Sequence, residues 1–203
     1  LYDQLQAGFT RTKVFEGATK ELETIAQTLL MATGGNGLVA YWKLDEVAGM
    51  TARDSGPKGL QGALDSYDPN DKPWTAGRFG NGLVFNGRGN RVKVANSEEA
   101  LNPHEKDWTI MMWVKIASCD QRNSGGRNDS EVIYGKNDKQ GTDLVMFIQL
   151  KNDPGRPMFS LSGPGLGVSV QGRNSICDNQ WHHLAGVRQG KTLRLYVDGK
   201  LER

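Results

Sequence analysis

Apolar and polar positions follow two different rhythms along this chain, and the change falls near residue 36. Between Glu16 and Met31 the apolar side chains Ala18, Leu22, Ile25, Ala26, Leu29 and Leu30 recur at helical spacing, with few β-branched residues or turn formers among them. The run Thr33-Gly34-Gly35-Asn36-Gly37 then stops a helix and supplies a hinge. A single amphipathic helix has nothing of its own to bury against. Residues 1–36 are therefore predicted to be a helical connector that packs on a neighbouring surface, or a solvated linker.

From Gly37 onward the rhythm is that of strands. Leu38–Leu44, Gly82–Phe85, Arg91–Val94, Trp108–Ile116, Glu131–Tyr134, Leu144–Leu150, Met158–Leu161, Trp181–Val187 and Thr192–Val197 are short runs of apolar, aromatic and β-branched residues. Turn-rich links separate them, such as Asp54–Gly59, Asp68–Pro73 and Asn86–Asn90. No helical pattern intervenes, which predicts an all-β sandwich or barrel over residues 37–203. The last segment is specific. Leu193-Arg194-Leu195-Tyr196-Val197 alternates, Asp198-Gly199 is a preferred two-residue hairpin turn, and Lys200-Leu201-Glu202 begins the return. A domain boundary inside a hairpin leaves the outgoing strand without its neighbour. The expectation is that the polypeptide continues past Arg203, or that another subunit supplies the remaining C-terminal strands.

Composition narrows the function classes. The 203 residues carry 25 basic and 23 acidic side chains, a net charge of +2, which gives no electrostatic case for nucleic acid. No apolar run reaches the length of about 18 residues that a transmembrane helix needs. The 26 glycines favour many short strands joined by tight turns. Two cysteines, Cys119 and Cys177, are compatible with a disulfide or with two free thiols.

An ordered set of motifs carries a family resemblance. These are Gly37–Glu46, Asp54-Ser55-Gly56 with Gly62, Gly77–Gly87, Trp108–Val114, Asn179–Ala185 and Leu195–Lys200. Together they resemble the laminin-G-like branch of the concanavalin A-like lectin/glucanase superfamily, over roughly residues 37 to 203. The resemblance implies a two-sheet antiparallel jelly roll. It also implies a bridge between Cys119 and Cys177, because related pentraxin-type domains join the corresponding strands by a disulfide. Setting Met111 opposite Leu184 brings the two cysteines together just beyond the strand ends. Such a bridge would fit an oxidising compartment, hence a secreted, cell-surface or periplasmic protein.

The chemistry follows the same comparison. Glucanase relatives hydrolyse with closely spaced carboxylates on one strand face. No strand here has that pattern, so no enzymatic activity is expected of this chain. Laminin-G-like domains often carry an acid-rich turn after the Gly-Leu-x-Phe strand; here it reads Asn86-Gly87-Arg88-Gly89-Asn90. The loop Lys136–Asp143 still offers oxygens near where relatives bind calcium, with Asp138 and Asp143 the candidate ligands. A solvated hairpin connection is the alternative there. No motif demands a cofactor, and calcium is the one ion considered. Asn86, Arg88, Asn90 and Asn137 are the candidate ligand-binding residues. Trp42, Trp108, Trp113 and Trp181 are expected in the core, and Trp74 on the edge of the sandwich. One of His182 and His183 must face inward and the other outward, since strand faces alternate. The run Gly163–Gly167 lacks the Lys-Ser/Thr of a phosphate loop and reads as a turn. The favoured function is a glycan- or protein-binding recognition module within a larger secreted or surface protein. The alternative is a structural insert in an extracellular or periplasmic enzyme complex, with no small ligand of its own.

Overall fold

A computed structural model describes residues 37–68, 70–86, 89–95, 100–101, 107–117, 119, 130–137, 143–149, 155–163 and 166–202. The helix expected at Glu16–Met31 lies outside the described residues, as do Arg88, Asp138 and the middle of the 136–143 loop. Among the described residues every regular element is a strand, and every ladder is antiparallel. The chain divides into two compact units, Leu1–Leu101 and Asn102–Arg203.

In the first unit, β1 (Thr51–Ala52), β2 (Gly62–Asp65) and β5 (Arg91–Val94) form a three-stranded sheet in the order β1-β2-β5. A separate ladder joins β3 (Trp74–Ala76) to β4 (Asn81–Leu83). Among the described residues of this unit, Ala52 of β1 and Leu64 of β2 are buried apolar side chains. The strand expected at Leu38–Leu44 reduces to one bridge, Trp42↔Asp54. The reason lies in Asp54. Its Oδ1 accepts the amides of Tyr41 and Gly56 at 2.7 Å each, and its Oδ2 accepts the amide of Leu60 at 2.7 Å. A carboxylate thus takes backbone donors that a neighbouring strand would otherwise have taken. Leu44 then turns the chain with a positive φ of 57°.

The second unit contains two four-stranded sheets. One runs in the order β10-β9-β8-β7, from β7 (Ser130–Asn137), β8 (Asp143–Gln149), β9 (Pro157–Gly163) and β10 (Leu166–Gln171). The other runs β13-β12-β11-β6, from β6 (Trp108–Lys115), β11 (Trp181–Gln189), β12 (Thr192–Val197) and β13 (Lys200–Leu201). Alternation decides what each strand buries. On β9 every second residue is buried, including Phe159 and Leu161; on β12 it is Leu193 and Leu195; on β11 Leu184 joins them, and Ile176 completes the cluster. Trp108, Ile110, Met112, Val114 and Ile116 pack against it from β6 and its end. Full burial of such a side chain stabilises the fold by about 1.5–3 kcal/mol.

The two sheets approach closely at one point. A Cβ on Gly186 of β11 would stand 2.6 Å from the Phe159 ring of β9, and Phe159 in turn meets Trp108 edge-on at 5.4 Å. Only a residue without a side chain admits the ring there. This is the sandwich the strand pattern predicts, with antiparallel sheets facing across an apolar core.

The expected positions of the tryptophans are corrected in two places. Trp113 shares no face with Trp108; its ring lies against His183 at 5.3 Å on the opposite side of the sheet. Trp181, opposite Lys115 in the ladder, is also outside the core cluster. Five residues separate 108 from 113, and an odd separation along a strand reverses the face. Gly163 and Leu166 pair across the β9–β10 ladder, so Leu166 and Gly167 of the glycine-rich run belong to β10, while residues 164–165 lie outside the described residues.

Candidate functional site

The sequence-predicted residues fall into two places. Asn86 and Asn90 belong to the loop between β4 and β5 in the first unit. Asn137 and Asp143 close the β7–β8 hairpin in the second.

The β4–β5 loop is held by its own polar groups. The Asn86 amide donates to Asn90 Oδ1 at 2.9 Å, and Asn90 Nδ2 donates to the Ser66 carbonyl at 2.7 Å. Both ends of the Asn90 amide are therefore spent on backbone, and its role is to fix the loop. Gly82–Phe85 was expected as strand, but the ladder ends at Leu83. The Val84 amide turns to the Pro73 carbonyl at 2.7 Å, and the Val84 carbonyl accepts the Tyr67 hydroxyl at 2.8 Å. Burial, aided by the charge of Asp71, pushes that hydroxyl up to about 12, so it stays a donor across ordinary pH. Released from the strand, Phe85 leaves 51% of its surface exposed and Val84 leaves 44%. The Tyr67 and Phe85 rings lie 6.3 Å apart, tilted by 58°.

A charged group lies on the β2–β5 ladder of the same unit. Asp65 on β2 bonds Arg91 Nε at 2.5 Å and stands 2.9 Å from Lys93 Nζ, both on β5. The Lys93 hydrogen bond, followed by Arg91, holds the Asp65 carboxyl below its usual range. All three are partly or well exposed, so the cluster contributes little to stability. Phe85 and Tyr67 were missed as site residues because strand alternation would bury Phe85 beside Leu83; the early end of β4 is what exposes it.

At the β7–β8 hairpin, Lys136 pairs with Leu144 and Asn137 with Asp143. The Asn137–Asp143 pair is the last of the β7–β8 ladder, and residues 138–142 between them lie outside the described residues. Calcium takes about 6–8 oxygen ligands. No group of three or more His, Cys, Asp or Glu forms among the described residues, and Asp138 lies outside them.

A third cluster was not foreseen. His182 Nδ1 lies 2.7 Å from Asp198 Oδ2, and its Nε2 lies 3.1 Å from Asp178 Oδ1. Asp198 Oδ1 also accepts the His183 amide at 2.8 Å. Burial draws the His182 pKa down, but the hydrogen bonds and charges of Asp198 and Asp178 together leave it raised above 6.5. His183 shows the reverse: burial lowers its pKa, against a smaller opposing effect of Asp198. The neighbouring disulfide joins Cys119 to Cys177 with Cα atoms 5.8 Å apart. Leu184 pairs with Met112, one position from the expected Met111, and Trp181 pairs with Lys115. Four further steps in this register bring Cys119 opposite Cys177.

Against known proteins, residues 86–203 match a family model described as the Concanavalin A-like lectin/glucanases superfamily. No curated protein matches the chain. Among solved structures, an S-layer domain-containing protein (residues 221–444) from Clostridium thermocellum ATCC 27405 is 19% identical. The alignment covers 81% of this chain and 70% of that one, with a TM-score of 0.49.

Proposed function

Because the chain belongs to the Concanavalin A-like lectin/glucanases superfamily, we propose that it is a non-catalytic recognition module of a secreted or surface protein. It takes a glycan or protein ligand on the loop that carries Phe85, Asn86, Arg88 and Asn90. The observation that carries this reading is the half-exposed Phe85 ring beside Tyr67, flanked by Val84, Asn86 and Asn90, which the Tyr67 and Asn90 hydrogen bonds tie in place. An aromatic face with polar groups around it suits a partner that is apolar on one side and hydroxylated at its edge. Residues already tied in this way lose little conformational freedom on binding. Asn137, Asp138 and Asp143 at the β7–β8 hairpin are the second candidate surface, with calcium as the ion to test there.

The placement of acids on the described strands supports the non-catalytic part of this reading. Strands β6, β9, β10, β11 and β12 contain none. Glu131 and Asp143 lie at opposite ends of the β7–β8 ladder. Six residues of strand separate those ends by roughly 20 Å. A glycosidase pair needs about 5–9.5 Å. The disulfide supports a compartment outside the reducing cytosol.

The test is a glycan array probed with the intact chain, together with thermal melts in calcium and in chelator. Binding to a restricted glycan set supports recognition. No binding and no thermal shift would favour the structural insert instead.

A further inference from the structure

Three residues, two of them four apart and the third sixteen further along, meet where the second unit's β13-β12-β11-β6 sheet ends beside the disulfide. Asp178 follows Cys177, His182 is the second residue of β11, and Asp198 occupies the β12–β13 turn. The turn has positive φ at both Asp198 (47°) and Gly199 (81°), the conformation that an Asp-Gly hairpin favours. Its backbone returns to β11 through the Asp198 amide, which donates to the His183 carbonyl at 2.9 Å. The segment at 178–180 is tied differently. Its Asn179 amide donates to the Ile116 carbonyl at 3.0 Å, and the Gln180 amide donates to Asp178 Oδ1 at 2.9 Å.

Both ring nitrogens of His182 face carboxylate oxygens, and carboxylates only accept. A neutral imidazole has one N–H and can serve one of them. Two donors require the imidazolium. We propose that Asp178, His182 and Asp198 form a proton-dependent clasp that fastens the segment after the disulfide to the β12–β13 turn, and that loss of one proton releases the Asp178 side. The retained proton stays on Nδ1, because the Asp198 contact is the shorter of the two. The side chain is 16% exposed, so water competes little for the ring.

The charged surroundings among the described residues are consistent with this. On β11 the next group is His183, which faces Trp113. On β6, Val114 stands opposite His182 and brings no charge, while Lys115 stands opposite Trp181. Beyond the turn, Lys200 pairs with Val197. Asp178 is itself held below its usual carboxylate range by the Gln180 amide first and His182 second, so it remains an anion through the whole range in which His182 titrates. The sign follows. A group whose pKa is raised in the closed form stabilises that form fully below its ordinary value of 6.5, and the contribution fades as pH rises through the raised one. For each pH unit between the closed and open midpoints, the opening equilibrium changes about tenfold. This inference is independent of any ligand at the Phe85 loop.

The experiment is NMR on the intact oxidised chain. Histidine ring shifts are followed against pH, and exchange of the Asn179 and Gln180 amides is corrected for intrinsic base catalysis. The expected result is a His182 midpoint above 6.5 and a His183 midpoint below it, with Gln180 exchange rising as His182 deprotonates. Asp178→Asn should bring the His182 midpoint down while the Nδ1 proton persists. A second variant, His182→Gln, should abolish the pH step in Gln180 exchange altogether. A His182 midpoint at or below 6.5, or a pH step that survives in His182→Gln, overturns the clasp.

Discussion

Replacing Gly186 by alanine tests the packing of the second unit at its tightest point. The new Cβ would stand 2.6–2.8 Å from three carbons of the Phe159 ring. Real carbon contacts begin near 3.5 Å, so the ring must move by most of an ångström. It has no room: Phe159 is fully buried and held on another side by Trp108. Overpacking of this kind costs about 1–3 kcal/mol. The loss of glycine's freedom in the unfolded chain returns about 0.4–1 kcal/mol. The net expectation is a destabilisation of about 1–2 kcal/mol, equal to a fall in Tm of about 2–4 °C per kcal/mol for a chain of this size. Urea unfolding of the oxidised protein reads it. A double-mutant cycle sharpens it, because Phe159→Leu removes the atoms that clash. Phe159→Leu alone should destabilise, yet Gly186→Ala added to it should cost much less than in the wild type, with a coupling of about 0.5–3 kcal/mol. A neutral Gly186→Ala, or strictly additive effects, would mean that β9 and β11 do not face each other as described.

Two further perturbations probe other parts of the account. Asp54→Ala should orphan the Tyr41, Gly56 and Leu60 amides and destabilise the first unit by about 2–3 kcal/mol, with Asp54→Asn losing less; thermal melts with exchange at those amides would show it. Cys119 and Cys177 lie 58 residues apart, and chain-entropy reasoning gives their bridge about 4 kcal/mol, so the double serine variant should unfold at markedly lower urea while the oxidised chain shows no free thiol by mass.

The sequence carried the second unit well, for a physical reason. Trp108–Lys115, Trp181–Gln189 and Thr192–Val197 are long runs whose alternation leaves one register that buries Met112, Leu184 and Leu195 together. The anchor pair was off by one, since Leu184 meets Met112. The first unit was harder. Its strands β1 and β3 have two and three residues, too few for a period to show. Its organising residue is Asp54, whose carboxylate replaces strand partners; the motif Asp-Ser-Gly announced a turn but not the three amides it collects. Phe85 was hidden by its own hydrophobicity, because only the diversion of Val84 toward Pro73 and Tyr67 leaves it outside the strand. The clasp was hidden because Asp178 and His182, four residues apart, read as ordinary until the β12–β13 turn brings Asp198 to the same imidazole.

The measurement that bears most directly on the recognition reading is a side-by-side glycan array of the wild-type chain and Phe85→Ala, with the two melting temperatures compared. Phe85 is half exposed, so its removal should leave the melt within about 0.5 kcal/mol of wild type. The account predicts that the glycans bound by the wild-type chain lose most of their signal in the variant. Equal binding by both proteins would contradict it.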